Sequence, residues 1–281
     1  QAMGWQDRTR QTVSDPIRAS AQIALADAPT ARAAGVLLDQ FGGALARAAR
    51  GVIDAAAAGD WPAAVRAIEL VLAQRGVGMH LTSPWRIVLA GHPNVGKSSL
   101  MNVLAGYQRA IVCHLPGTTR DVVTITTAIE GWPVQISDTA GLRETTAAVE
   151  SAGVARATAA LVDADLVLAV EDASDPDSGF IELLPPGALA MHVLNKIDLL
   201  ASPPASPTGK AGELFTSAVT GQGIEALVAA IGRALVPSPP IAGAAVPFTS
   251  DQCEAFDAAS VGAEARDAAM VGAALAPIVG A

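Results

Sequence analysis

Gly91, Gly96, Lys97 and Ser98 follow the order G-x-x-x-x-G-K-S inside the stretch GHPNVGKSSL. A loop of that spacing, set between a strand and a helix, wraps backbone N–H groups around phosphate oxygens, and the helix N-terminus adds a favourable dipole. The chain holds only three lysines, Lys97, Lys196 and Lys210, against fifteen arginines. A lysine kept at position 97 points to a need for a compact charge on a flexible stem. An ammonium reaches the β- and γ-phosphates from within the loop, whereas a planar guanidinium is too broad. Ser98 offers a hydroxyl to Mg2+, and Asn94, Val95 and Ser99 complete the expected phosphate-binding run.

A base-reading signature lies downstream. NKID places Asn195 and Asp198 just past the apolar run ALAMHVL. A carboxylate there accepts from both N1–H and the exocyclic amine of guanine, a donor pair that adenine lacks. Lys196 can lay its stem across the base, and Ser217 and Ala218 of TSAVTG are placed to meet the guanine O6 through backbone amides. Two further segments suit a γ-phosphate. PGTTRD holds Thr118 and Thr119, with Thr119 the expected threonine ligand of Mg2+. DTAG holds Asp138, suited to a magnesium-bound water, and Gly141, whose amide can bond the γ-phosphate. Such loops are tied to the phosphate before hydrolysis and released afterwards. The spacings together predict magnesium-dependent binding and hydrolysis of GTP. Many GTPases follow DTAG with a water-orienting glutamine, but the residue here is Leu142, so another group must place the water.

These residues need strands that end at the loops. RIVLAG, from Arg86, is a continuous apolar run, as expected of a buried parallel strand. VVTITTAI and PVQISD flank the turn residues Glu130 and Gly131, a hairpin pattern, and DLVLAVED, ALAMHVLN and ELFTSA supply three more strands. Strands alternating with helical stretches predict an α/β domain with a mainly parallel sheet. On either side the reading is helical. Leu38, Phe41, Leu45, Ala49 and Val52 recur at helical spacing and predict one helix, which Gly59 and Asp60 end. Asp60 then caps a second helix with Pro62 in its first turn and a stripe of Trp61, Val65, Ile68 and Leu72 that stops at Gly76. After a linker from Pro237, the segment from Thr249 reads as helix again, with Pro277 breaking its apolar end.

The formal charge of −9 argues against broad electrostatic attraction to nucleic acid or anionic membrane. The two cysteines, Cys113 and Cys253, lie far apart and predict neither a disulfide framework nor a cysteine zinc site. The N-terminus lacks a basic segment followed by an apolar core, and no run suits a bilayer span, so a cytoplasmic protein without membrane contact is expected.

GHPNVGKSSLMNVLAG, AIVCHLPGTTRD and DTAGLRE resemble the tRNA-modification GTPase family MnmE, also called TrmE, and the resemblance runs from about residue 20 to the C-terminus. It implies a helical domain interrupted by the GTPase domain, with parts at residues 1–83, 84–236 and 237–281. It also implies homodimerisation through GTPase domains, with K+ where an arginine finger would lie. Asn94 matches the asparagine that holds the ion, residues 113–118 match the carbonyl loop around it, and Glu150 of AAVE matches a water-orienting glutamate. Read by their local context alone, Asn94 could cap loop backbone and Glu150 could be a first-turn dipole partner. Arg120 and Arg143 suit pairing with carboxylates better than a finger role. The family further implies tRNA and a modification partner protein. Its folate-binding domain and terminal Cys-x-Gly-Lys motif find no match in these residues. Two other readings stand beside it. One is a ribosome-assembly GTPase, since Der and Era proteins share PNVGKS; the other is a GTP-binding scaffold whose turnover has decayed.

Overall fold

In the computed structural model, which describes residues 15–107, 124–138, 160–176, 184, 187–209 and 212–280, helix starts follow the small polar residues of the sequence. The described residues fall into two units, one formed by the chain to Ser83 and from Ser238 onward, the other by Pro84–Pro237.

The first unit is helical. Asp15 caps α1 (Pro16–Ala26), Thr30 caps α2 (Ala31–Phe41), and Asp60 caps α4 (Trp61–Leu72), each through its side-chain oxygen. Between them lies α3 (Ala44–Ala57), which starts at Gly43. The single helix expected over Leu38–Val52 is therefore two. Gly43 sits at φ 87, a left-handed conformation that suits glycine, and it resets the helical phase. Leu45, Ala49 and Val52 after the break are buried as expected, whereas before it Leu37 is buried and Leu38 is 55% exposed. In α4 the buried face is Ala64, Ile68 and Val71, one step round from the expected stripe, and a short helix α5 (Arg75–Met79) runs through Gly76. The returning segment forms two helices, α8 (Ser250–Glu264) and α9 (Ala268–Val279), because Asp267 caps a new start by accepting from the Met270 amide. Pro277 does not break α9; it lies within the last turn, where it lacks the N–H for the Ala273 carbonyl and the helix ends two residues later.

Gln40 ties the returning chain to this bundle. Its fully buried amide donates to the carbonyls of Val36 and Ala244, both at 3.0 Å, and accepts from the Val246 amide at 3.1 Å. Gln40→Leu would leave the buried Val246 amide and the part-buried Ala244 carbonyl without this partner. The expected cost is about 2 kcal/mol, read as a lower urea midpoint with unchanged slope. An unchanged midpoint would show that the clasp contributes nothing.

The second unit is a six-stranded sheet built from β1 (Trp85–Ala90), β2 (Thr124–Ile129), β3 (Trp132–Asp138), β4 (Leu166–Asp172), β5 (Ala190–Asn195) and β6 (Leu214–Phe215). Its order is β2-β3-β1-β4-β5-β6, parallel except where β2 pairs antiparallel with β3. Glu130 at φ 52 and Gly131 at φ 78 make the expected tight hairpin between those two strands. Helices α6 (Lys97–Tyr107) and α7 (Ile224–Leu235) accompany the sheet. Val88, Leu89, Val134, Ile136 and the whole of Leu166–Val170 are buried. The chain leaves β1 between β3 and β4, the point where strand order reverses, and a crevice opens at the carboxyl ends of such strands. No helix among the described residues is long and apolar enough to cross a membrane.

Candidate functional site

The loop from β1 to α6 occupies that crevice. Gly91 at φ 151 and Gly96 at φ 94 carry conformations that side chains rarely adopt, and both are pressed against neighbours. A Cβ at Gly91 would lie 2.1 Å from the Val170 carbonyl oxygen, and one at Gly96 would lie 2.4 Å from Asn195 Nδ2. The loop is thus wedged between the ends of β4 and β5. Lys97 opens α6 with its side chain turned back into the loop, where Nζ donates to the carbonyls of Gly91 at 3.0 Å and His92 at 2.9 Å. A cation held this way by loop carbonyls can turn to an arriving phosphate without crossing solvent.

Ser98 Oγ donates to Asp138 Oδ2 at 2.7 Å, across from the buried end of β3. A hydroxyl and a carboxylate side by side where a phosphate loop runs into its helix are the hard oxygen donors that Mg2+ takes, alongside phosphate and water. These residues fit the ion. Among the described residues no cluster of three or more His, Cys, Asp or Glu side chains suits a metal, and an Mg2+ shared with phosphate needs none.

On the other flank, Asn195 is 1% exposed and its amide meets three partners in two loops. Nδ2 donates to the Val95 carbonyl at 3.0 Å, while Oδ1 accepts from the Ala218 amide at 3.2 Å and from Thr216 Oγ1 at 3.3 Å. It joins the phosphate loop to the loop after β6. Asp198 lies in the 3-10 turn Ile197–Leu199, and its Oδ1 accepts from Ser217 Oγ at 2.5 Å. The Ser217 hydroxyl also accepts from the Thr220 amide at 3.1 Å. The two expected backbone donors are engaged within the protein: the Ser217 amide donates to the Gln222 carbonyl at 2.9 Å and the Ala218 amide to Asn195. Ser217 thus meets Asp198 through its hydroxyl, while its amide and carbonyl close the turn with Gln222 and Gly221.

Two acids that sequence reasoning passed over end β4. Glu171 is 2% exposed, with His192 Nε2 3.0 Å from its Oε2, yet neither oxygen has a well-aligned hydrogen bond among the described residues. Asp172 Oδ2 accepts from Lys196 Nζ at 2.8 Å. Burial alone raises the Asp172 carboxyl pKa, but the Lys196 and Ser174 hydrogen bonds outweigh it and hold it below the ordinary carboxylate value. With Asp175, Lys196 and residues 92–95, these acids line a cavity of about 280 Å³ beside the phosphate loop, and Asn94, at φ 66, is among its walls. The strand reading LVLAVED did mark the acids, as a terminus and not as a site.

Thr118, Thr119, Gly141 and Glu150 lie outside the described residues, as do Leu142, Arg120, Arg143 and residues 113–118. The site placed by the structure thus comprises the phosphate loop, the Ser98–Asp138 pair and the base-side loops.

Residues 86–196 match the family described as 50S ribosome-binding GTPase, and the second unit is a P-loop GTPase domain with a mostly parallel sheet. Within that class the chain resembles tRNA modification GTPase MnmE. It is 45% identical over 185 residues to the protein of that name from Nitrosomonas europaea and 45% identical over 193 residues to that from Ralstonia nicotianae, matching 64% of this chain and 41% of the relative in each case. The chain therefore spans about two fifths of the length of these curated relatives. Among solved structures, Era from Aquifex aeolicus bound to GDP and AlF4− is similar at 28% identity and a TM-score of 0.42, over 56% of this chain and 58% of that one.

Proposed function

We propose that this chain binds and hydrolyses GTP with Mg2+, that K+ stimulates it through dimerisation of GTPase domains, and that it works in the cytoplasm as part of a tRNA wobble-uridine modification system. The domain reading goes with it: a helical domain at residues 1–83 and 237–281 that the GTPase domain, 84–236, interrupts. The observation that carries the reading is the convergence of three groups at the carboxyl ends of one sheet: Lys97 in its loop, Ser98 beside Asp138, and Asp198 held by Ser217.

In this reading the amides of residues 91 and 94–99 cradle the phosphates, and Lys97 leaves its carbonyls to meet the β- and γ-oxygens. Ser98 and Thr119 would hold Mg2+, with Asp138 acting through a water, and the ion would supply charge neutralisation to the phosphates. Gly141 meets the γ-phosphate and Glu150 orients the attacking water. Asp198 reads the guanine edge, Lys196 lies across its face, and Asn195 and Ser217 position those two loops. Thr118 and the carbonyls of 113–118 surround K+ together with Asn94, whose place on the cavity wall beside the phosphate loop is compatible with that role. The 45% identity to MnmE proteins supports the modification setting and a tRNA and protein partner.

GTP hydrolysis is expected to run at least about tenfold faster in K+ than in Na+, and Asn94→Ala should remove the difference, since a cation at the phosphates stabilises charge only in the transition state. Release of phosphate in the two salts checks this. Equal rates in wild-type protein would sink the K+ proposal while leaving GTP binding intact. A preference for ATP over GTP would sink the whole reading.

A further inference from the structure

Lys196 enters the site in an unusual way. It takes φ 65, a left-handed conformation, directly after the last residue of β5, and its stem passes beside the phosphate loop. A Cβ at Gly96 would come within 3.9 Å of Lys196 Cε, so the stem runs in contact range of that glycine. Its ammonium then ends on Asp172 Oδ2 at 2.8 Å, with the two side chains only 29% and 21% exposed.

Asp172 is built to receive it. It pairs with Asn195 in the β4–β5 register, and the Ala173 amide donates to the Asn195 carbonyl at 2.7 Å, so the two strand ends are locked together. Asp172 Oδ1 accepts from the Ser174 amide at 3.0 Å and from Ser174 Oγ at 2.6 Å. That turn fixes the carboxylate plane and leaves Oδ2 for Lys196. The hydrogen bonds also keep the group ionised through the neutral range, since they outweigh the upward push of burial on its pKa.

We propose that Asp172 is a positioning residue for guanine nucleotide: it anchors the Lys196 ammonium so that the methylene stem forms a fixed platform for one face of the purine ring. This rests on the GTP reading above. A free lysine has much rotamer freedom to lose when a base settles on it, and an anchor set before binding removes that loss. It also decides where the charge goes. Glu171 and Asp175 line the same cavity, and without Asp172 the ammonium would turn to them or to an incoming phosphate, taking the stem off the base.

The test is calorimetric titration of the full chain with GDP and Mg2+, using wild type, Asp172→Ala, Lys196→Ala and the double variant. Each single change is expected to weaken GDP about tenfold, and the double variant should be no weaker than Lys196→Ala alone. Asp172→Asn keeps the Ser174 bonds but loses the negative charge that faces Lys196, and should fall between wild type and Asp172→Ala. Melting of the nucleotide-free protein should be the same for wild type and Asp172→Asn. Wild-type affinity in Asp172→Ala, additive losses in the double variant, or a weaker Asp172→Asn that also melts earlier without nucleotide would each overturn the proposal. A wild type that binds no GDP would overturn the GTP reading beneath it as well.

Discussion

Asp198→Asn is expected to weaken GDP and GTP by roughly a thousandfold and to turn the site toward xanthine nucleotides. A carboxylate that accepts from N1–H and from the exocyclic amine makes two charge-assisted bonds, together worth about 4 kcal/mol in a shielded site. The structure determines how an asparagine would sit. The Ser217 hydroxyl accepts from the Thr220 amide, so its own proton goes to position 198. An asparagine that keeps the Ser217 bond holds its carbonyl oxygen there and presents its amide nitrogen on the other edge. That nitrogen faces the guanine amine, donor against donor, but it complements the C2 carbonyl of xanthine. Competition between guanosine, xanthosine and adenosine diphosphates measures the shift. If guanine affinity survives the substitution, the carboxylate does not read the base, and the specificity must come from elsewhere in the loops.

The parts of this site that could be read from the sequence are those where residue type and backbone conformation coincide. Gly91 and Gly96 are required by positive φ angles and by close neighbours, so the glycines themselves mark the loop. Val88, Leu89 and the β4 run are buried between strands on both sides, which is why they read as continuous apolar segments. Two kinds of feature escaped. One depends on which strand ends become neighbours: Asp172 meets Lys196, and His192 meets Glu171, only because β4 and β5 pair in register. Nothing local distinguishes such acids from residues that end a strand. The other depends on competition for a hydrogen bond. The Ser217 amide, expected from the sequence to meet a base oxygen, donates here to the Gln222 carbonyl across a six-residue turn. Helix phase failed in part for a related reason: the left-handed Gly43 divides the expected stripe, so Leu45, Ala49 and Val52 after it are buried as read while Leu38 before it is exposed, and apolar spacing alone carries no record of that break.

Lys97→Arg is expected to reduce single-turnover GTP hydrolysis about a thousandfold, as much as Lys97→Ala, despite keeping the charge. Lys97 is 5% exposed, and its nitrogen lies between two loop carbonyls at 3.0 and 2.9 Å. A guanidinium there needs a wider opening to spread its fork. The loop cannot provide one, because Gly91 is already seated against the Val170 carbonyl and Gly96 against the Asn195 amide, and both partners belong to paired strand ends. The arginine must then leave the loop and approach from solvent, where it no longer touches the β–γ bridge as charge develops there. Hydrolysis by the three proteins at saturating GTP and Mg2+, with melting curves to confirm folding, decides the matter. If Lys97→Arg retained activity within a few-fold of wild type, the loop would have to be wider in use than its two wedged glycines permit, and charge alone would suffice at this position.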